Sequence, residues 1–414
     1  MRPAETPAEA VTLAGLDSDP HALLASLRAV APVCWVPALG AWLVTGYHCA
    51  VDVLRDARTF TVDDPRFSTA KVVGPSMLSL DGPQHARHRS PFSFAFRSEE
   101  VHARLASFTR DEAGRLVTAI ASRGDAELRR AVAGPLAAAV MAKALGLEDA
   151  DPARILAWYD GIVAAVQAEA AAAAGPAGTA GPTSTAGPAG TAAFAQLAAS
   201  LREVIATGRH RSLLAEAVAG PLTGTEAGPP LTEDEAVSNA AVLMFGGIET
   251  TEGMISNAAL HLLAHPGQLG LVRADPSLVP AAIEESLRLE PAAAVVDRYA
   301  TRDAQLGGVR IPAGEQVTVS IAAANRDPAV FPDPDRYQVC RPNASRHLAF
   351  AHGPHFCLGA PLARLEARIA IGTLLDLLPQ LRLDDRYPSA PRGLVFRKPP
   401  DLRVRWNRPD RPAG

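Results

Sequence analysis

The chain has 414 residues, 48% hydrophobic and 20% charged, which is ample for a large globular core. By length alone it could hold two or three domains. A net charge of −4 offers no basic surface for nucleic acid or an anionic membrane.

The opening residues, MRPAETPAEAVTLAG, lack an apolar run of signal-peptide or anchor length. The expectation is a cytoplasmic protein without a membrane anchor. Residues 1–20 should be a flexible N-terminus, and Cys34, Cys49, Cys340 and Cys357 should stay reduced. Lysine occurs only at Lys71, Lys143 and Lys398, with arginine as the main base, a composition typical of a GC-rich bacterial genome.

In chain order, VCWVPALGAWLVT (Val33 to Thr45) predicts a β-hairpin turning near Gly40. His48 to Arg58 predicts a short helix. The next stretch, TFTVDDPRFSTAKVVGPSMLSLDGPQHARHR, is rich in Pro, Asp and Gly and predicts a loop. At its end His85 and Arg89 are four apart, on one face of a helix start. A helical pattern runs from Glu99 to Ala170, broken near Gly124 and between Gly146 and Pro152. Residues 175–190, GPAGTAGPTSTAGPAG, have no apolar periodicity and predict a mobile loop before a helix from Ala192 to Gly208.

TEDEAVSNAAVLMFGGIETTEGMISNAALHLLAHP predicts a helix of about 30 residues, roughly 45–50 Å long. Thr232 and Glu235 form its capping box and Pro266 closes it. Gly246 and Gly247 lie mid-helix, where each costs about 1 kcal/mol against alanine. Either a bound group or a neighbouring helix must therefore approach that backbone. Glu249, Thr250 and Thr251 then set a carboxylate beside hydroxyls in an apolar stretch. VPAAIEESLRLEP predicts a short helix from Pro280 to Pro291, with Glu285 and Arg288 facing the same way.

In FAHGPHFCLGAPLARLE, Cys357 lies between Gly353 and Gly359, just ahead of a helix that starts at Pro361. Leu362, Leu365, Ile369 and Leu374 recur there at helical spacing. Unpaired N–H groups and the helix dipole favour a thiolate at that position. Three readings compete. The cysteine is a buried structural residue, or one ligand of a zinc site with Cys340, His347, His352 and His355, or the thiolate ligand of a haem iron. The zinc reading lacks the closely spaced Cys and His pairs of zinc modules.

This stretch resembles the haem-binding signature F-G-x-G-x-H-x-C-x-G of the cytochrome P450 monooxygenases. Phe350, Gly353, His355, Cys357 and Gly359 match, and Ala351 stands where the family usually has glycine. DGPQHARHR resembles the family's D-P-P-x-H-x-x-x-R, with Gly82 for proline. GGIETT resembles A-G-x-E/D-T-T, with Gly246 for alanine. Glu285 and Arg288 match its E-x-x-R, and AAAVVDR and IPAGEQVTVSIAAANRDPAVFPDP follow in family order. The resemblance extends from about Val33 to Trp406.

The resemblance implies one mainly helical domain over residues 1–414, with a small β-rich part. Haem b would lie between the long central helix and the cysteine loop. Cys357 would bind iron; His85, Arg89 and Arg298 would meet the haem propionates. Gly246, Gly247, Phe350, Gly353, His355 and Gly359 would border the haem. Thr250 and Glu249 would be the catalytic pair, one hydrogen-bonding beside the oxygen site and the other relaying protons. Glu285 and Arg288 would form a buried pair completed by Arg336 or Arg341.

The implied activity uses O2 as co-substrate and oxidises a hydrophobic small molecule, most simply by hydroxylation, in bacterial secondary metabolism. Epoxidation, desaturation and C–C bond formation follow from the same chemistry. Electrons would come from NAD(P)H through ferredoxin reductase and ferredoxin, which would dock on Arg87, Arg97 and Arg364. The substrate wall would include Phe67, Met77, Leu78, Leu243, Met244, Gly247, Val295, Val296 and Leu394, with the 175–190 loop near the entrance. A monomer is expected. A catalytically silent haem protein, acting as sensor or docking partner, would be expected to lose the acid–hydroxyl pair, and this chain keeps Glu249 and Thr250.

Overall fold

Helix-forming periodicity dominates the computed structural model, which describes residues 8–173, 188–208, 212–219 and 229–408. α1 (Leu13–Ser18) is opened by Thr12, whose hydroxyl accepts from the Gly15 N–H, and α2 (His21–Val30) follows. Of the flexible N-terminus expected over residues 1–20, residues 8–20 are folded and residues 1–7 lie outside the described residues. Val11 and Leu16 bury against Leu24 and Leu27, and Arg397 donates to the carbonyls of Leu16, Asp17 and Ser18.

β1 (Val33–Val36) and β2 (Ala41–Val44) form the expected hairpin, with Gly40 at φ +57° in its turn. After α3 (Tyr47–Arg55), the stretch read as loop holds two short elements, β3 (Phe60–Thr61) and α4 (Ser68–Val73), before α5 (Gly82–Ser93). Their partners are remote in sequence, so local composition does not reveal them. α6 (Ser98–Ala121) ends before Gly124; β4 (Asp125–Glu127) and a π-helical turn, Arg129–Ala133, lead into α7 (Gly134–Leu145). α8 (Pro152–Ala173), α9 (Pro188–Thr207) and α10 (Leu213–Ala219) follow. Of the low-complexity segment 175–190, residues 175–187 lie outside the described residues and the last three belong to α9.

α11 (Glu233–Ala264) is the long central helix, 32 residues and about 48 Å at 1.5 Å per residue. Its capping box forms as expected: Thr232 Oγ1 accepts from the Glu235 N–H and the Glu235 carboxylate accepts from the Thr232 N–H. Pro266 opens α12 (Pro266–Ala274), and α13 (Val279–Leu289) comes next. Then come β5 (Val295–Ala300), β6 (Ala304–Leu306), β7 (Val309–Ile311), β8 (Gln316–Ser320), α14 (Ile321–Ala324), α15 (Ala360–Leu377), β9 (Arg382–Leu383) and β10 (Arg403–Arg405).

The largest sheet has the order β1-β2-β8-β5-β3, with only β2 and β8 parallel. A second sheet orders β4-β10-β9, and β6 pairs with β7. α11 packs against α7, α9, α13 and α15 in the main apolar core, while the five-stranded sheet has a smaller core of its own.

Behind the cysteine loop, Arg288 and Glu285 are fully buried and joined by two hydrogen bonds of 2.7 and 2.9 Å. Arg341 completes the network, its Nε reaching both Glu285 oxygens at 2.9 and 3.0 Å. Arg336 contributes only its backbone carbonyl, which accepts from both arginines. Two cations on one buried carboxylate leave a net charge that neighbouring carbonyls, including Asn325 O and Pro334 O, must solvate.

Candidate active site

The cysteine loop is held from both ends. Gly353 has φ +71°, and a Cβ there would lie 2.4 Å from Leu54 O at the end of α3. Only glycine permits that approach. The Cys357 N–H donates to Phe350 O at 2.8 Å, closing the loop just before α15. Burial pushes the Cys357 thiol upward in pKa, while the N–H groups of Gly359 and Ala360 and the charges of Arg89 and Arg364 pull it down. A Cβ on Gly359 would find Cys357 Sγ at 3.9 Å and no other heavy atom within 4 Å. The half-buried sulfur therefore faces room that glycine keeps clear.

Next to the loop is a cluster of donors. The rings of His85 and His355 lie 4.3 Å apart, and His355 Nε2 is 2.8 Å from Asp81 Oδ1. Asp81 also accepts from Thr61 Oγ1 and the Val62 N–H. Burial opposes ionisation of Asp81, yet the hydrogen bonds from His355, Thr61 and Val62 outweigh it and bring its pKa to about 2. His85 is pushed down to about 4 by burial, with His355 and Arg89 adding repulsion. Its Nε2 is buried without a hydrogen-bond partner among the described residues. Arg89 donates to Phe356 O, and Arg298, buried on β5, reaches one acceptor among the described residues, Asp297 O. Burial lowers the Arg298 pKa to about 10. Such donors suit an anionic group.

α11 supplies the opposing surface. Between residues 236 and 263 every side is buried except at Leu243, Gly246, Gly247 and Thr250. These positions follow the i, i+3, i+4, i+7 rule, so they form one open stripe on one helix face. Thr250 Oγ1 donates back to Gly246 O at 2.5 Å. The two glycines differ. A Cβ on Gly247 would meet Met141 Sδ of α7 at 2.4 Å, whereas a Cβ on Gly246 meets nothing within 4 Å. Close helix packing therefore accounts for Gly247, and Gly246 is the one that bares the helix. Glu249 points away from the stripe into a buried ion pair with Lys398, 2.9 Å.

The family model described as Cytochrome P450 matches residues 272–400. The cytochrome P450 monooxygenase PikC of Streptomyces venezuelae is 35% identical over 417 residues, covering 96% of this chain and 93% of that one. The chain belongs to the cytochrome P450 family. The P450 is also similar to the solved structure of P450BioI in complex with acyl carrier protein ligated to hexadec-9Z-enoic acid (31% identity, TM-score 0.82, 95% of this chain and 100% of that). A second solved relative is HmtN, a post-tailoring hydroxylase involved in himastatin biosynthesis (31% identity, TM-score 0.79, 94% and 98%). The expected fold is thus the observed one, and the P450 is an oxidoreductase of the haem-thiolate, O2-using monooxygenase class.

The residues present fit a haem. The orphaned His85 Nε2, the sparsely used Arg298 guanidinium and the clear space at Gly359 and Gly246 are features a flat, doubly anionic group would use. The zinc reading fails, because His347 pairs with Glu284, His352 with Arg55 and His355 with Asp81. The described residues bring together no metal-binding group of three. Among them no helix is long and apolar enough to cross a membrane.

Several expected contacts need correction. Met244 is 1% exposed and belongs to the core; Leu243, one residue earlier, is on the stripe. Leu394, in a bend rather than a strand, packs against the N-terminal cluster of Val11 and Leu16 and is no pocket wall. Met77 is buried, while Phe67, Leu78, Val295 and Val296 are half-buried. Arg87 and Arg364 are not free docking cations: Arg87 binds Glu235, and Arg364 forks onto Glu284 while stacking on Phe350. Arg97 is exposed beside the exposed Phe94. Sequence reading gave no role to Asp81, Lys398 or Glu252. Asp81 opens the DGPQH motif, which was the available signal; nothing local marks the other two.

Proposed function

We propose that this P450 hydroxylates a hydrophobic small molecule in bacterial secondary metabolism. The α11 stripe carries this reading: apolar Leu243, bare backbone at Gly246 and a single hydroxyl, Thr250. Half-buried Phe67, Leu78, Val295 and Val296 are the further wall candidates. HmtN is a hydroxylase of a biosynthetic route, and P450BioI was solved with an acyl-chain ligand, which supports both halves of the proposal.

Cys357 would hold haem b, which when bound would supply reductive activation of O2. His85, Arg89 and Arg298 would bind its carboxylates, with Asp81 fixing His355 beside them. Thr250 offers an O–H at the stripe, and Glu249 carries protons toward it from outside the helix. Electrons arrive from NAD(P)H through ferredoxin reductase and ferredoxin. The docking face recentres on Arg97, with exposed Phe94 and Phe356 as apolar contacts. We infer a monomeric cytoplasmic protein that folds as one unit.

The test is the absorption spectrum of purified protein, reduced with dithionite and exposed to carbon monoxide, beside Cys357→Ser. A red-shifted Soret band lost in the variant, followed by a spin-state change on adding apolar substrates, is the expected result. A protein without haem, or a histidine-type band, overturns the proposal.

A further inference from the structure

The open stripe of α11 has an end. Asn239 lies four residues before Leu243 and continues the same helix face, yet it is fully buried. What covers it is the turn between α4 and α5. The Met77 N–H donates to Asn239 Oδ1 at 2.8 Å. Gly74, at φ +86°, lets the chain lie so close that a Cβ there would be 3.1 Å from Ser238 Oγ. The turn also holds itself together. The Ser76 N–H donates to Ser79 Oγ at 3.1 Å, the Leu78 N–H to Ser76 Oγ at 3.3 Å and the Ser79 N–H to Ser76 O at 3.0 Å. Of the four N–H groups from Ser76 to Ser79, that of Met77 is the one satisfied from α11.

The Asn239 amide has no rotational freedom left. Its oxygen must face the Met77 N–H, so its nitrogen donates to Glu235 O at 2.7 Å and to His88 Nδ1 at 3.0 Å. His88 Nδ1 is therefore an acceptor, and the ring proton sits on Nε2. There the acceptor is the Glu235 carboxylate, with Oε1 at 3.5 Å. Arg87 Nη2, 3.1 Å from the same ring nitrogen, offers only N–H groups and itself binds Glu235. Burial lowers the His88 pKa, which favours the neutral ring this arrangement needs. One chain of hydrogen bonds thus runs from the first turn of α11 through α5 to the Met77 backbone.

We propose that Asn239 and its orienting partner His88 are positioning residues that fix this turn as the end wall of the substrate site, and so set the length of substrate the P450 accepts. Thr250 and Asn239 are eleven residues apart, about 16 Å along the helix axis at 1.5 Å per residue. An apolar chain that reacts beside Thr250 and runs toward the N-terminus of α11 meets the turn at that distance. Half-buried Leu78 rides on the turn, so a shift of the Met77 backbone carries it along. The proposal rests on the reading of the stripe as the substrate side of α11.

The anchoring can be tested without haem. Haem-free protein is exchanged into D2O, and uptake is followed by peptide mass spectrometry. Asn239→Leu removes the acceptor and should speed exchange of residues 74–79 about tenfold, the worth of one buried hydrogen bond. His88→Leu should speed it about threefold, because Asn239 then loses one of the bonds that orient it. Asn239→Asp keeps an acceptor for Met77, with the His88 proton moved to Nδ1, and should stay within about twofold of the parent. Residues 251–264, further along α11, should be unchanged in all three. Equal acceleration in both segments, equal acceleration in Asn239→Leu and Asn239→Asp, or none in Asn239→Leu overturns the anchoring.

The wall itself is read in the haem-loaded protein with 1-alkylimidazoles, whose ring nitrogen ligates the iron and whose tail fills the site. Tails of about four to twelve carbons are titrated by the Soret shift, each buried methylene adding severalfold in affinity. In the parent and in Asn239→Asp affinity should climb with tail length and then fall. In Asn239→Leu the fall should move by about two carbons or more. The same limit in parent and Asn239→Leu, or no limit in the parent, overturns the length-setting role. If the parent lacks the Cys357-dependent carbon monoxide band, the proposed function fails, while exchange of residues 74–79 still decides whether Asn239 anchors the turn.

Discussion

Gly353 lies under the carbonyl of Leu54 so closely that one added carbon would come within 2.4 Å of that oxygen. The cysteine loop is thus fastened to α3 by an absent side chain. Gly353→Ala should destabilise the fold by about 3 kcal/mol, combining a backbone clash with a left-handed φ. Two residues earlier the situation reverses: Ala351 occupies φ +59° where a glycine would be relaxed. Ala351→Gly should stabilise by about 1 kcal/mol. Urea unfolding of both variants checks this, and opposite signs are the required outcome.

The adjacent glycines of α11 should also part company. Gly246→Ala gains about 1 kcal/mol of helix propensity with no clash. The methyl would stand on the open stripe and weaken binding of bulky substrates, read as a smaller spin-state change. Gly247→Ala must move Met141, and overpacking of about 1–3 kcal/mol cancels or exceeds the same gain. Thermal unfolding with substrate titration separates the two; identical behaviour would contradict the assignment.

Thr250→Ala should leave folding and haem content unchanged. Among the described residues its hydroxyl bonds only to Gly246 O one turn back, so its removal strands no buried partner there. In the reconstituted system, electrons should go to hydrogen peroxide in place of product, by roughly tenfold or more in ratio. Unchanged coupling would remove Thr250 from the catalytic pair.

His85 gives the haem-free protein a pH dependence. Its pKa falls to about 4 in the fold, through burial and the nearby His355 and Arg89, against about 6.5 in the unfolded chain. Between these values the unfolded chain binds the proton and the native state does not, so stability drops as pH falls from 6.5 toward 4. From pH 7 to pH 5 the loss should be about 2 kcal/mol, and it should disappear in His85→Phe. Loading haem should shrink it, because a carboxylate beside the orphaned Nε2 favours the charged ring. Parallel unfolding curves for parent and variant at both pH values would refute this.

What could be read from the sequence was whatever is written locally. The cysteine loop, the capping box of Thr232 and Glu235, and the Glu285–Arg288 spacing each lie within a turn or two of chain, where residue type nearly dictates geometry. The sides of helices and strands were less legible. Met244 and Leu243 are equally apolar, and only packing against α7 and its neighbours decides which one faces the stripe. Arg336 and Arg341 were indistinguishable until the chain path put one side chain and the other's carbonyl at Glu285. Lys398 lies nearly 150 residues from Glu249, and no periodicity reports a contact at that separation.

Arg397 grips the carbonyls of Leu16, Asp17 and Ser18 while its neighbour Lys398 faces α11. The N-terminal helix is therefore tied to the same short segment that holds Glu249. The two ties are made by adjacent residues, so a displacement at one is passed along a single peptide to the other. A truncation around α1 should therefore loosen the Lys398 pairs with Glu249 and Glu252, far from the surface where the cut was made.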